Sequence, residues 1–151
     1  MARLRMVNIA QKTVTLRRAR AACRLHLRPH TLRALIAGKL PKGDALAAAQ
    51  LAGIQAAKRT WELIPLCHPI PLTSVQVRFR PRAGEALLEI ESRVETRART
   101  GVEMEALAAA AAAALTIYDM CKSRDPGLEI TALRLLEKSG GKSGRWKRPE
   151  S

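Results

Sequence analysis

Aromatic side chains are scarce in this chain: Trp61, Phe79, Tyr118 and Trp146 make up 3% of 151 residues. Proteins that read single-stranded nucleic acid stack bases on aromatic platforms, and four scattered rings supply no such platform. No RNA-recognition, zinc-finger or basic-zipper signature is present, so a specific nucleic-acid partner is not expected. Cysteines are three, Cys23, Cys67 and Cys121, an odd count without CxxC spacing. That excludes a disulfide framework and fits a reducing compartment. The histidines, His26, His30 and His68, show no zinc spacing, so no structural metal is expected. No apolar run carries enough transfer energy to span a bilayer, which takes ~20 residues. The basic N-terminus is not followed by an apolar segment and a small-residue cleavage site. The expectation is a soluble cytoplasmic protein without a membrane partner.

Acidic residues are missing from one stretch in particular. Residues 1–42 carry eleven Lys and Arg and no Asp or Glu. From Gly43 to Glu137 the balance is eleven basic against twelve acidic, and from Lys138 on it is five against Glu150. The sum is 27 basic against 13 acidic, a net charge of +14. Positive ends of this kind attract polyanions, whether nucleic acid or a phosphate-rich small molecule. At 16.5 kDa and 47% hydrophobic residues the chain reads as one domain, 1–151, with 1–8 and 139–151 as flexible ends. A chain of this length buries ~70% of its unfolded surface, enough for a core without staples.

Residues 14–28 alternate in a way that fits a strand, which Pro29 ends. In such a strand Arg18, Arg20 and Arg24 share one face and Arg17 takes the other. A short helix is expected over 31–40 and a turn over 39–43. Asp44 is a good N-cap for a helix over 45–58, where Gly53 costs ~1 kcal/mol relative to Ala and so implies close packing. Three prolines stiffen Leu63–Pro71 as a loop around His68. Val75–Arg80 and Leu88–Glu95 alternate strictly and form a hairpin through Pro81–Gly84. A helix over 102–122 and a short strand around Leu133 and Leu135 follow. Helices beside antiparallel hairpins, with no βαβ repeat, point to an α+β fold.

Gly141-Lys142-Ser143 looks like the end of a phosphate-binding loop, but position 136 is Leu136 and no helix can follow, so that motif is rejected. The tail instead reads as a flexible basic segment carrying Lys138 and Lys142. Glu103 has capping-box spacing from Thr100, while Glu105 falls on another helix face. Asp119 and Lys122 form an ordinary i,i+3 pair. Glu103 and Asp119 are separated by about 24 Å along one helix. If both serve one reaction, two chains must supply the two ends. The run Ala108–Ala114 has no polar face, which also points to an oligomer. His68 sits in a rigid loop suited to preorganisation, Cys67 reads as a small buried hydrophobe, and Lys42 precedes a helix start able to favour phosphate.

Six blocks carry a resemblance. They are Pro41-Lys42-Gly43-Asp44, Ala52 to Thr60, Leu63 to Pro69, Arg99 to Leu107, Leu115 to Lys122, and Lys138 to Gly144. Together, in this order and over about 6–146, they resemble the cyclic pyranopterin monophosphate synthase family, protein C of molybdenum cofactor biosynthesis. The resemblance implies a ferredoxin-like α+β fold and a homohexamer, a trimer of dimers with active sites between subunits. It implies conversion of 3′,8-cyclo-7,8-dihydroguanosine 5′-triphosphate to cyclic pyranopterin monophosphate with release of pyrophosphate, without a cofactor. Matched position by position, it implies Lys42, Asp119 and Lys122 as catalytic groups. It implies substrate contacts from Leu66, Cys67, His68, Met104 and Glu105, with Glu103, Arg17 and Lys138 nearby, Arg17 meeting the triphosphate. The chain departs from the family pattern at Asn8, where aspartate is usual, and at Arg18, where glutamate is usual. Its segment before Met6 is short and its run Ala108–Ala114 unusually uniform.

Overall fold

The computed structural model describes residues 1–150. The elements are β1 (Thr15–His26), α1 (Pro29–Ile36), α2 (Ala45–Lys58), α3 (Thr60–Leu63), β2 (Ser74–Arg82), β3 (Leu87–Ala98), α4 (Glu103–Cys121), β4 (Glu129–Ser139) and β5 (Trp146–Lys147). The strands form one sheet in the order β2-β3-β1-β4-β5 with every neighbouring pair antiparallel. Leaving out the two-residue β5, this is a β-α-β-β-α-β chain in which each crossover skips one strand, the split arrangement of ferredoxin-like domains. The α+β expectation holds.

Alternation decides which face of the sheet is covered. Ala19, Ala21, Cys23 and Leu25 of β1 and Leu88, Ile90 and Val94 of β3 are buried beneath the helices. Arg18, Arg20 and Arg24 take the opposite, open face, as the parity argument requires. There Arg18 meets Glu95 at 3.0 Å, and Arg20 lies 3.1 Å from Glu91 and 3.0 Å from Glu137. The unusual Arg18 is thus neutralised across the ladder, on the face away from Arg17.

Asp44 caps α2, its Oδ1 accepting from Ala47 N at 3.0 Å. The buried stripe of α2 is Ala45, Ala49, Gly53 and Ala57, all small, which lets α4 approach closely. A β-carbon on Gly53 would lie 2.8 Å from Val77 Cγ2 and 2.9 Å from Ala109 O. Close packing is therefore the reason for a glycine inside a helix. On α4, Ala108, Ala109, Ala110, Ala113 and Ala114 are buried within this one chain and only Ala111 and Ala112 are half-buried. The alanine run is satisfied by α2 and the sheet, so it does not itself require a second chain. α4 is long and apolar enough to cross a membrane by length and composition, but half of it is buried inside the protein, as in a core helix.

Three local expectations change. The first helix begins at Pro29, which supplies its N-terminal turn without a missing donor. The hairpin strands run on through Pro81–Arg82, because the edge position of β2 leaves the proline without a bond to lose. The last strand is long, Glu129–Ser139, with register shifts against β1 and a positive φ of 53° at Ala132. Those irregularities hide its alternation in the sequence. Lys138 therefore stands in a strand opposite Ala19, and Trp146 and Lys147 pair back on Lys138 and Glu137.

Candidate active site

The sequence-expected residues fall into two groups at the two ends of α4. At its C-terminal end Asp119 lies between two ammonium groups. Lys42 Nζ donates to Asp119 Oδ2 at 2.7 Å and Lys122 Nζ lies 2.9 Å from Oδ1. The i,i+3 spacing places Lys122, and the Pro41–Gly43 turn, with Gly43 at φ 98°, brings in Lys42. The hydrogen bond from Lys42, then that from Lys122, lowers the Asp119 carboxyl to about 2. Asp119 in turn raises the Lys122 ammonium above its ordinary value. All three side chains are more than half exposed, at 55%, 53% and 58%, so the cluster is open to a ligand. Exposed pairs of this kind add little stability. The cluster holds a carboxylate and two proton-bearing amines within reach of one another.

At the N-terminal end of α4 the loop before β2 meets the helix start. Cys67 Sγ lies 3.7 Å from Glu105 Oε1. Glu105 is 3% exposed, and its Oε2 has no hydrogen-bond partner. Burial raises the Glu105 carboxyl, and the neighbouring Glu103 adds to the rise. Burial first and Glu105 second push the Cys67 thiol up to about 11, so it is no ready nucleophile, although the side chain is half-buried rather than the buried hydrophobe expected. The expected capping box is not formed: α4 has Val102 as N-cap without a side-chain bond. Glu103 instead turns to Lys138 Nζ at 3.5 Å across the sheet end. Met104 and Leu66 are exposed beside this group.

His68 is half-buried and lines a cavity with Asn8 and Arg99. The Asn8 departure thus borders a residue of the expected site, which linear distance does not suggest. Arg17 lies on the same sheet end, its Nε donating to Ala98 O at 3.4 Å. The turn after β4 lies against its guanidinium, since a β-carbon on Gly141 would collide with it. Lys12 and Thr15, which sequence reasoning did not single out, line a cavity with Arg17, Lys142 and Ser143. The cation-only stretch before Gly43 was the available signal. Among the described residues no group of three or more His, Cys, Asp or Glu is placed to hold a metal ion.

Each group is internally assembled, and α4 keeps the two apart by its own length of 19 residues. One chain therefore presents two separate groups of side chains: an amine–carboxylate cluster, and a basic end with a buried carboxyl, a thiol and a histidine.

Comparison with known proteins identifies the family. The family model described as MoaC family matches residues 6–141. The cyclic pyranopterin monophosphate synthase of Thermomicrobium roseum is 57% identical over 146 residues, covering 97% of this chain and 88% of its own. That of Chloroflexus aurantiacus is 54% identical over 145 residues, covering 96% and 89%. That of Pelotomaculum thermopropionicum is 53% identical over 144 residues, covering 95% and 85%. A match of this extent spans nearly the whole chain, and the chain belongs to the MoaC family.

Proposed function

We propose that this chain is a cyclic pyranopterin monophosphate synthase, a lyase acting at an early step of molybdenum cofactor biosynthesis. It converts 3′,8-cyclo-7,8-dihydroguanosine 5′-triphosphate to cyclic pyranopterin monophosphate. The α-phosphate closes onto the sugar-derived part as pyrophosphate leaves, and the purine-derived skeleton rearranges to the pterin. The observation that carries the reading is the Lys42–Asp119–Lys122 cluster, in a chain more than half identical to named synthases.

Ring opening and reclosure need protons delivered and removed at fixed places. Two amines on one carboxylate can supply them. Asp119 stays ionised at neutral pH, holds both amines and stabilises the charged form of Lys122. Leu66, Cys67, His68, Met104 and Glu105 hold the rearranging base, with Glu103 orienting Lys138. Arg17 and Lys138 neutralise the triphosphate and the departing pyrophosphate. No cofactor takes part.

In this reading the enzyme is a homohexamer, a trimer of dimers, with the two half-sites of one active site supplied by different chains. Large exposed apolar side chains on the helical side support it: Leu51, Trp61, Leu63, Leu66, Met104 and Leu115. The free thiols Cys23, Cys67 and Cys121 fit a cytoplasmic enzyme.

The test is incubation of the purified protein with the cyclic dihydroguanosine triphosphate, following pterin product and pyrophosphate. Product from the native chain, and little from Lys42→Ala, is expected. No product from a folded oligomer overturns the reading and returns the positive ends to a nucleic-acid role.

A further inference from the structure

The buried row of β3 holds two hydroxyls that a core does not need. Leu88, Ile90, Ser92, Val94 and Thr96 alternate onto the covered face, and all five are fully buried. Valine would fill the place of Ser92 or Thr96 without a polar atom to satisfy. Each hydroxyl instead donates to a backbone carbonyl outside the sheet. Ser92 Oγ donates to Ala106 O at 2.6 Å, beside Glu105 on α4. Thr96 Oγ1 donates to Pro71 O at 2.5 Å, in the loop that carries Cys67 and His68. The two elements whose side chains meet at Cys67 and Glu105 are thus tied to one strand.

The loop has no regular structure of its own, since residues 67–72 lie in neither helix nor strand. Its sequence nevertheless makes it stiff. Proline fixes φ at Pro69 and Pro71, and a residue before proline is confined to extended backbone, which restricts His68 and Ile70. The stretch from His68 to Pro71 then spans about 10 Å with few soft torsions. Holding the carbonyl at Pro71 therefore orients the histidine at the other end. Thr96 is also the cross-strand partner of Arg17, on the same face of the sheet. Side chains so placed have β-carbons about 5 Å apart. One hydroxyl thereby sets the loop against Arg17 as well as against Glu105.

We infer that Thr96 is a positioning residue for the reaction, its hydroxyl fixing where the Cys67–His68 loop stands relative to Arg17 and Glu105. This rests on the proposed synthase reading. Thr96 is fully buried, so it acts through Pro71 and not on the substrate itself.

The experiment uses the full chain and two readouts. Thr96→Val keeps the shape of the side chain and removes the donor. Steady-state kinetics should show kcat/KM lower by about ten- to a hundredfold, the cost of misplacing a binding group. The second readout needs no substrate. Cys67 is half-buried while Cys23 and Cys121 are buried, so iodoacetamide labelling of Cys67, followed by peptide mapping, reports on the loop. Labelling should be about fivefold faster in Thr96→Val, because the loop opens locally more often. Thr96→Ser keeps the hydroxyl and should restore both readouts. Ile90→Val, in the same buried row, is the control for lost packing and should match the native chain in both. Native kinetics or native labelling in Thr96→Val overturns the positioning role. So does an effect that Thr96→Ser fails to restore or that Ile90→Val shares. Faster labelling restored by Thr96→Ser, with no product from the native chain, overturns the synthase reading and upholds the anchor on the loop.

Discussion

Lys42 Nζ donates to Asp119 Oδ2 across 2.7 Å, joining residues 77 positions apart through two exposed side chains. A turn ahead of α2 and the last turn of α4 are thereby fastened at one point. Asp119→Asn removes the charge that holds both amines while leaving the core intact. Product formation is expected to fall by about 10²- to 10⁴-fold, the usual worth of a positioned acid–base group, with the circular dichroism spectrum unchanged.

The same geometry sets a pH expectation. The Asp119 carboxyl is lowered from 3.8 to about 2 by the two lysines. A lowered carboxyl contributes stability that is present above the unfolded value and is lost as pH falls from there through about 2. The carboxyl carbon of Asp119, followed by NMR, should still be ionised at pH 3.5 in the native chain. A midpoint near 4 would show that the lysines do not hold it.

Glu105 behaves in the opposite sense, because burial raises its carboxyl. A raised carboxyl binds more protons folded than unfolded, so its contribution to stability declines as pH rises above the unfolded value of 4.5. Glu105→Gln is expected to abolish that decline. Urea unfolding of both proteins between pH 4 and 8 should show the variant gaining relative to the native chain as pH increases. Its synthase activity should fall, since the unpartnered Oε2 is lost to substrate.

Cys67 offers a chemical readout of the same pocket. With its thiol at about 11 rather than 9.0, the thiolate fraction at pH 8 is about a hundredfold smaller than for an unperturbed thiol. Iodoacetamide should label Cys67 slowly, by peptide mapping, although it is half-exposed. Glu105→Gln should speed the labelling, because Glu105 is one of the groups that disfavour the thiolate.

The proposed sharing of each active site between two chains predicts complementation. Arg17→Ala and Lys42→Ala, each nearly inactive alone, should regain activity when mixed, dissociated and reassembled, since about a quarter of shared sites then carry both native halves. Sites contained within single chains would regain nothing.

Much of the fold was legible because its signals are local. Strict alternation marked β3, Asp44 marked the start of α2, and Gly53 announced a close helix contact found at Val77 and Ala109. The long β4 was not legible, because bulges against β1 break the period that identifies a strand. Glu103 misled for a related reason. Thr100-x-x-Glu fits a capping box, but Lys138 from a strand 35 positions later offers the carboxylate a charged partner instead. The apolar stretch Ala108–Ala114 misled about its own cover, since α2 and the sheet already bury most of it.

The sequence by itself determined the chemistry on offer: the residue types, their blocks, the positive ends and the family that these define. It also settled that Glu103 and Asp119 stand at opposite ends of one rigid rod, because helical rise is fixed by backbone hydrogen bonding. Only the tertiary structure decided which groups meet. Lys42 reaches Asp119, Glu105 loses its water, and Lys12 shares a cavity with Lys142, because sheet order and helix packing join segments far apart in the chain. Electrostatic coupling and desolvation act over a few ångströms, and separation along the chain does not fix distances of that kind.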